Sequence, residues 1–448
     1  MRKRIGIGFL FLVLLCGCKQ YDRVDMTATT PAPVVVRPGK DEESQEESTE
    51  PSTEEITEPE TEALEPVKVP TKVKGIYLSA YVAGTESMID SILEQIDQTE
   101  INAVVIDVKD DNGRITFRMN TPMVQEIGAV KAFIPDIQSL MKKLKERNIY
   151  TIARVVAFRD PYLPEKKPEL ALKLPDGSTY RDNKGLAWVN PYKKETWDYL
   201  VEVGIGAHEA GFDEVQFDYI RFSTEKGVNN VVYDEADTKG RGRTEIITEF
   251  IEYANKQLSQ EGLYVSADVF GAIIGGGVDS QTVGQSYGDM ANHLDYICPM
   301  IYPSHYGDGN FGIEHPDMQP YDTILAALQG SRRDLQEHSI NGGEQAVVRP
   351  WLQDFTASYL KHYIKYEDKQ VREQIQAVYD AGYDEWLLWS ASCKYHWGAL
   401  RTQAEAESEK QSVEESRAAM PVTEPETSPL KPEISLEDAE VSFHKPAA

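Results

Sequence analysis

Gly211-Phe212-Asp213-Glu214-Val215-Gln216-Phe217-Asp218-Tyr219-Ile220-Arg221-Phe222 reads as a helix stop, then an apolar strand, then a charge. Glycine accepts the left-handed backbone that closes a helix, so Gly211 ends whatever helix precedes it. Val215, Phe217 and Ile220 give strand character over 212–219. Asp218 and Arg221 then fall at or just past the end of that strand. Burying an unpaired carboxylate costs several kcal/mol, so this charge needs either a partner or a task.

Seven further β-branched or aromatic runs lie at 75–80, 101–108, 149–157, 263–269, 294–301, 347–352 and 385–390. Amphipathic helical stretches separate most of them, and such alternation predicts a parallel sheet with crossover helices. Eight strands close a barrel, so the expected fold is a single (β/α)8 TIM barrel. The helices are punctuated accordingly. Met88, Ile89, Ile92, Leu93 and Ile96 form one apolar face. Pro135 opens a helix carrying Ile137, Leu140, Met141 and Leu144. Trp197, Leu200, Val201 and Ile205 lead to Gly211, and Val371, Ile375 and Val378 lead to Gly382. After Lys394 only a short run with Trp397 and Leu400 remains, so the eighth helix is expected to be stunted. Two insertions, 158–192 after the third strand and 302–320 after the sixth, carry aromatic residues onto the face where barrels bind ligands.

The remainder of the 448 residues does not read as core. Residues 41–66 hold twelve acids and no base, and 402–448 hold eleven acids against four bases, together −19 of the formal −28. Such stretches cannot bury enough apolar surface to fold. Arg2, Lys3 and Arg4 precede an apolar run over 5–15 that is short for a membrane span. Leu15-Cys16-Gly17-Cys18 then resembles a bacterial lipobox with Cys18 as the lipidated residue; an ordinary cleaved secretory signal is the alternative. The expected organisation is a lipoprotein signal peptide over 1–18, a disordered acidic tether over 19–70, the barrel over 71–401 and a disordered acidic tail over 402–448. The chain is expected to be exported, anchored to the outer side of a bacterial cell membrane through its lipid, and monomeric. The negative charge of the folded part argues against nucleic acid.

Cys298 and Cys393 fall in the sixth and eighth runs, which are not neighbours in a closed barrel, so both read as buried small hydrophobes. His293, His305, His315 and His396 show no ligand spacing and read as loop or surface residues. Neither a metal nor a cofactor is expected.

The strand ends converge on one opening. They supply Tyr77, Asp107, Lys109, Arg154, Asp218, Tyr219, Arg221, Asp268, Tyr302, Arg349, Trp351, Asp354 and Trp389, with Trp188 from the first insertion. Aromatic faces stack on sugars, polar groups bind hydroxyls, and a pair of carboxyl groups can cleave a glycosidic bond. Asp218 and Asp268 end adjacent strands. Asp218 is the expected nucleophile or base, kept ionised by Arg154 and Arg221. Asp268 lies in Ser266-Ala267-Asp268-Val269-Phe270-Gly271, whose apolar members would raise its pKa and suit it to donate a proton. Asp107 is a third candidate acid. Tyr77, Arg154, Trp188, Tyr219, Arg221, Tyr302, Arg349, Trp351 and Trp389 are the expected substrate contacts. A strand-end Asp can equally be an ion-pair member or a loop cap, and the arginines can equally be its counter-charges.

Several ordered segments resemble a family of inferred glycoside hydrolases of bacterial secreted and lipoprotein chains, a barrel long catalogued as a domain of unknown function. They include Lys74-Gly75-Ile76-Tyr77, Val104 to Asp110, Ala153-Arg154-Val155-Val156, Trp188-Val189-Asn190-Pro191 and Phe212 to Phe222. Ser266 to Gly271, Met300 to Tyr306 and Arg349-Pro350-Trp351-Leu352-Gln353 complete the set, spread over 72–400. The resemblance implies a glycosidase-like barrel. An Asp ending strand four before an acid on strand five is distantly similar to the α-amylase group, although Asp268 stands where that group has Glu. A chitinase Glu would fall at Ile220, which argues against that mechanism. The expectation is a glycoside hydrolase acting on a cell-envelope or environmental polysaccharide; the alternative is a non-catalytic glycan-binding barrel serving envelope recognition.

Overall fold

The computed structural model describes residues 71–406 and 408. The signal peptide, Cys18, the 19–70 tether and nearly all of the 402–448 tail lie outside the described residues. Of that tail, 403–406 form a helical turn. Among the described residues no helix is long and apolar enough to cross a membrane.

Nine parallel strands form one closed sheet: β1 Lys74–Leu78, β2 Ala103–Lys109, β3 Tyr150–Val156, β4 Glu214–Asp218, β5 Tyr264–Phe270, β6 Tyr296–Met300, β7 Val347–Val348, β8 Trp351–Gln353 and β9 Trp386–Trp389. Pairing runs from β1 through β2, β3, β4 and β5 to β6, and from β1 through β9 to β8. The ring closes where β6 pairs with both β7 and β8. β7 and β8 are therefore two pieces of one strand, and the barrel has eight. The break falls at Arg349-Pro350, where the proline has no N–H to give to the ladder. The strands are near-continuous apolar runs because helices cover the sheet outside and side chains fill it inside. Every residue of β2, Ala-Val-Val-Ile-Asp-Val-Lys, is buried.

The helices follow the apolar spacing. Glu86–Ile96 buries Ile89, Ile92, Leu93 and Ile96, although Met88, expected on that face, is exposed. Ile137–Lys145 is capped by the Asp136 side chain, which accepts from the Ser139 N–H. Lys194–Ala210 stops at Gly211, whose φ of 106° is the left-handed conformation a side chain would resist. After β9 the short turn Trp397–Ala399 stands where an eighth helix would pack, ahead of the helical turn at 403–406.

The insertions after the third and sixth barrel strands are present, and the connections after β2 and β4 are also long. Lys173 in the first insertion bridges both Thr179 and Val232, so the segment after β4 folds onto the segment after β3. Cys298 and Cys393 are free and buried. Cys393 lies just past β9 rather than in it, with φ of 53°, and its sulfur accepts from the Ser79 N–H at 3.2 Å.

Candidate active site

At the C-terminal end of the barrel, Arg154 of β3 organises the acids. Its guanidinium is 2% exposed and pairs with three carboxylates: Asp218 at 2.6 Å, Asp107 at 2.7 Å and Asp111 at 3.6 Å. Burial pushes Asp107 upward, while Arg154 and the Tyr77 hydroxyl, which donates to Asp107 Oδ2 at 2.6 Å, pull it down. Arg159, one residue beyond the expected start of the insertion, bonds Asp111 at 3.0 Å and lies 4.0 Å over the Tyr219 ring. Burial is the larger influence on Asp111, but Arg154 and Arg159 together hold it below the usual carboxylate range.

Asp218 and Asp268 stand side by side, each one residue past the registered pair Phe217 and Ala267 of β4 and β5. The backbone after Asp218 turns sharply. Tyr219 adopts φ of 52°, costly for a residue with a ring, and so turns its N–H onto Asp218 Oδ1 at 2.6 Å. The Arg154 guanidinium supplies the counter-charge on the other oxygen, Oδ2. Asp268 has no arginine in hydrogen-bond contact among its described partners. Burial first, and then the neighbouring Asp218, push its carboxyl well above the ordinary range, opposed by the hydrogen bond from Trp351 Nε1 at 2.6 Å. Two adjacent carboxyl groups thus sit in opposite settings, one beside a buried cation and one beside an indole and another acid.

Aromatic rings wall the far side. Tyr77 and Trp389 lie 4.3 Å apart, and Trp389 meets Trp351 edge-on at 5.6 Å. Trp389 and Tyr219 keep part of their surface open, whereas Tyr77, Trp188, Tyr302 and Trp351 are buried. A buried ring cannot present its face to a sugar without moving. Trp188 instead donates its N–H to Asp182 within the insertion and packs edge-on against Tyr219.

Three charged residues lie elsewhere than expected. Arg349 is fully enclosed at the opposite, N-terminal end of the barrel, where it bonds Glu214 of β4 at 2.9 Å and Glu385 at 2.9 Å and lies 3.7 Å over Tyr296. Strands four and seven are not neighbours, so Glu214 and Arg349 meet across the barrel interior. Lys109 points away from Asp107, because a register irregularity between them turns it outward. It pairs with buried Asp160 at 2.8 Å and donates to the Val156 carbonyl, anchoring the first insertion. Arg221 donates to the Phe222 carbonyl and lies against Trp188, Tyr219 and Phe270 instead of bonding Asp218.

Arg159, and the partner of His396, carry little signal along the chain. Arg159 directly follows Phe158 at the mouth of the third strand, and that position alone marked it. His396 hydrogen-bonds the buried Asp354 through both its backbone N–H and its ring. Asp354 ends strand seven and His396 follows strand eight, so adjacency in the barrel brings together what the chain separates by forty-two residues.

Paired carboxyl groups, a buried arginine and partly open rings on this face define the class as a barrel glycoside hydrolase. The chain belongs to the family described as "Putative glycosyl hydrolase domain", whose model matches residues 75–395. It is thus a glycosidase, with a carbohydrate as substrate. The crystal structure of a hypothetical protein from Ruminiclostridium thermocellum ATCC 27405 is 42% identical, covering 43% of this chain and 97% of that one, with a TM-score of 0.40. The glycoside hydrolase domain of PgaB (BpsB) from Bordetella bronchiseptica is 10% identical over 79% of this chain and 100% of that one, with a TM-score of 0.51, a likeness of fold. The noncanonic maltogenic α-amylase AmyB from Thermotoga neapolitana is 14% identical over 62% of this chain and 58% of that one, with a TM-score of 0.37. Comparison with curated proteins finds no match.

Proposed function

We propose that the chain cleaves O-glycosidic bonds of a cell-envelope or environmental polysaccharide, with Asp268 as proton donor and Asp218 as nucleophile or base. The observation that carries this reading is the split between the two neighbours: Arg154 pairs with Asp218, while burial and the adjacent Asp218 raise Asp268 against the opposing bond from Trp351. Asp268 gives its proton to the departing glycosidic oxygen as the bond to the anomeric carbon breaks. Asp218 then either bonds that carbon, for later displacement by water, or removes a proton from the attacking water. Trp389 and Tyr219 offer the open aromatic surface for the sugar rings.

The N-terminal sequence is what supports an envelope or environmental substrate. Arg2-Lys3-Arg4, the apolar run after it and Cys18 support export and lipid anchoring, and the acidic stretch after Cys18 would serve as a charge-extended tether.

The test is reducing-sugar release from a panel of envelope and plant polysaccharides by the wild type, Asp218→Asn and Asp268→Asn. Turnover by the wild type that both substitutions abolish supports the assignment. Full activity in either variant removes that residue from it, and glycan binding without turnover across panel and pH would make the barrel a recognition module.

A further inference from the structure

Away from the acids, the insertion after strand six and the loop after strand seven bring together three side chains that the chain separates. Asp308, His315 and His362 place one ligand atom each so that all lie within 4.8 Å of one another. His362 Nδ1 is 2.8 Å from Asp308 Oδ2, and His315 Nδ1 is 3.1 Å from Asp308 Oδ1. The centres of the two imidazole rings lie 3.9 Å apart, with the ring planes tilted by 36°. His315 Nδ1 is sealed from solvent, yet it is not aligned for a hydrogen bond to that carboxylate.

The backbone fixes this arrangement. Asp308 and His315 flank a tight loop closed by bonds from the Gly309 N–H to the carbonyls of Ile313 and Glu314. Phe311 within it takes φ of 56°, a strained value for a ring-bearing residue. Asp317, 2% exposed, then bolts the second loop down. It accepts from Gln353 Nε2 at 2.9 Å and from the Ile364 N–H, and its carbonyl accepts from the Tyr366 hydroxyl. His362 stands two residues before Ile364, so its position is set by the same anchor. On the outer side, His315 Nε2 lies 3.7 Å from the exposed Glu314 carboxylate.

We propose that Asp308, His315 and His362 bind one divalent transition-metal cation of the zinc type, tying the strand-six insertion to the strand-seven loop. Two imidazoles and one carboxylate suit zinc, nickel or copper rather than calcium or magnesium, which take oxygen ligands. Tetrahedral zinc sets ligand atoms about 3.3 Å apart, from metal–ligand distances of ~2.0–2.1 Å. Contacts of 2.8 and 3.1 Å already approach that spacing, and three protein ligands leave a fourth position for water. The site is separate from the carboxyl pair, so it stands whether or not Asp218 and Asp268 are the catalytic acids.

Isothermal titration of the metal-stripped full chain with Zn2+, and visible absorption with Co2+ as probe, test the proposal. One tight Zn2+ per chain is expected, with a tetrahedral-type Co2+ spectrum. His315→Ala/His362→Ala and His362→Gln should each weaken binding by about 100-fold or more and abolish that spectrum. His362→Gln changes an accessible loop position and guards against a misfolded double variant. Equal Zn2+ binding by the wild type and His362→Gln would overturn the proposal, as would only weak, multiple binding shared by all variants, attributable to the acidic segments.

Discussion

Arg154 donates from Nε at 3.0 Å and from Nη2 at 2.6 Å to the same oxygen of Asp218. The other oxygen is held only by the Tyr219 N–H among its described partners, and so remains available for chemistry. A lysine at 154 would keep the charge but lose the fork that reaches Asp107 and Asp218 together. Arg154→Lys should therefore lower kcat by about 100-fold through misplacement of Asp218, with KM moving far less, as steady-state kinetics on any cleaved substrate would read.

Asp268 makes the stability of this protein depend on pH in a defined direction. Its folded-state pKa is raised. Above the ordinary carboxylate range the unfolded chain loses this proton while the folded chain keeps it, so stability falls as pH rises until the folded carboxyl also titrates. In Asp268→Asn the carboxamide has no such proton to lose, and its oxygen can still accept from Trp351. Thermal melts should show Asp268→Asn gaining on the wild type from about pH 4 upward. Activity should fall on the alkaline side as Asp268 ionises, because the leaving group then has no acid. A constant difference in Tm across pH would contradict the buried, proton-bearing Asp268.

Arg349 belongs to the stability of the barrel. Removing it leaves Glu214 and Glu385 without their cation in a closed interior. Arg349→Met should destabilise by about 3–5 kcal/mol in chemical denaturation. Whatever folded fraction remains should keep the wild-type KM.

Trp389 is the middle ring of the Tyr77, Trp389 and Trp351 wall and the one that keeps part of its surface open. Trp389→Ala should raise KM about tenfold, equivalent to ~1.4 kcal/mol of lost binding, while Trp188→Ala should chiefly lower Tm through the insertion it holds.

Strand count, strand order along the chain and the gathering of Asp107, Arg154, Asp218 and Asp268 at one face were legible because apolar runs and their polar ends are local signals. Side-chain direction was less so. Strict alternation puts Asp107 and Lys109 on one face, but the irregularity between them sends Lys109 to Asp160. Arg349 precedes Pro350 at an interrupted strand, so its level in the barrel was not fixed by counting from the strand end. The pairing of Asp354 with His396, and the meeting of His315 with His362, depend on loops from neighbouring strands. No spacing along the chain announces such contacts.

The division of labour between Asp268 and Asp218 is tested most directly by leaving-group dependence. The measurement is kcat/KM of Asp268→Asn and Asp218→Asn on a cleaved natural glycan and on the matching dinitrophenyl glycoside, whose leaving group needs no proton. Asp268→Asn should lose most of its activity on the glycan but little on the aryl glycoside, and Asp218→Asn should lose both. Equal loss by Asp268→Asn on the two substrates, or aryl glycoside cleavage surviving in Asp218→Asn, would contradict the assignment.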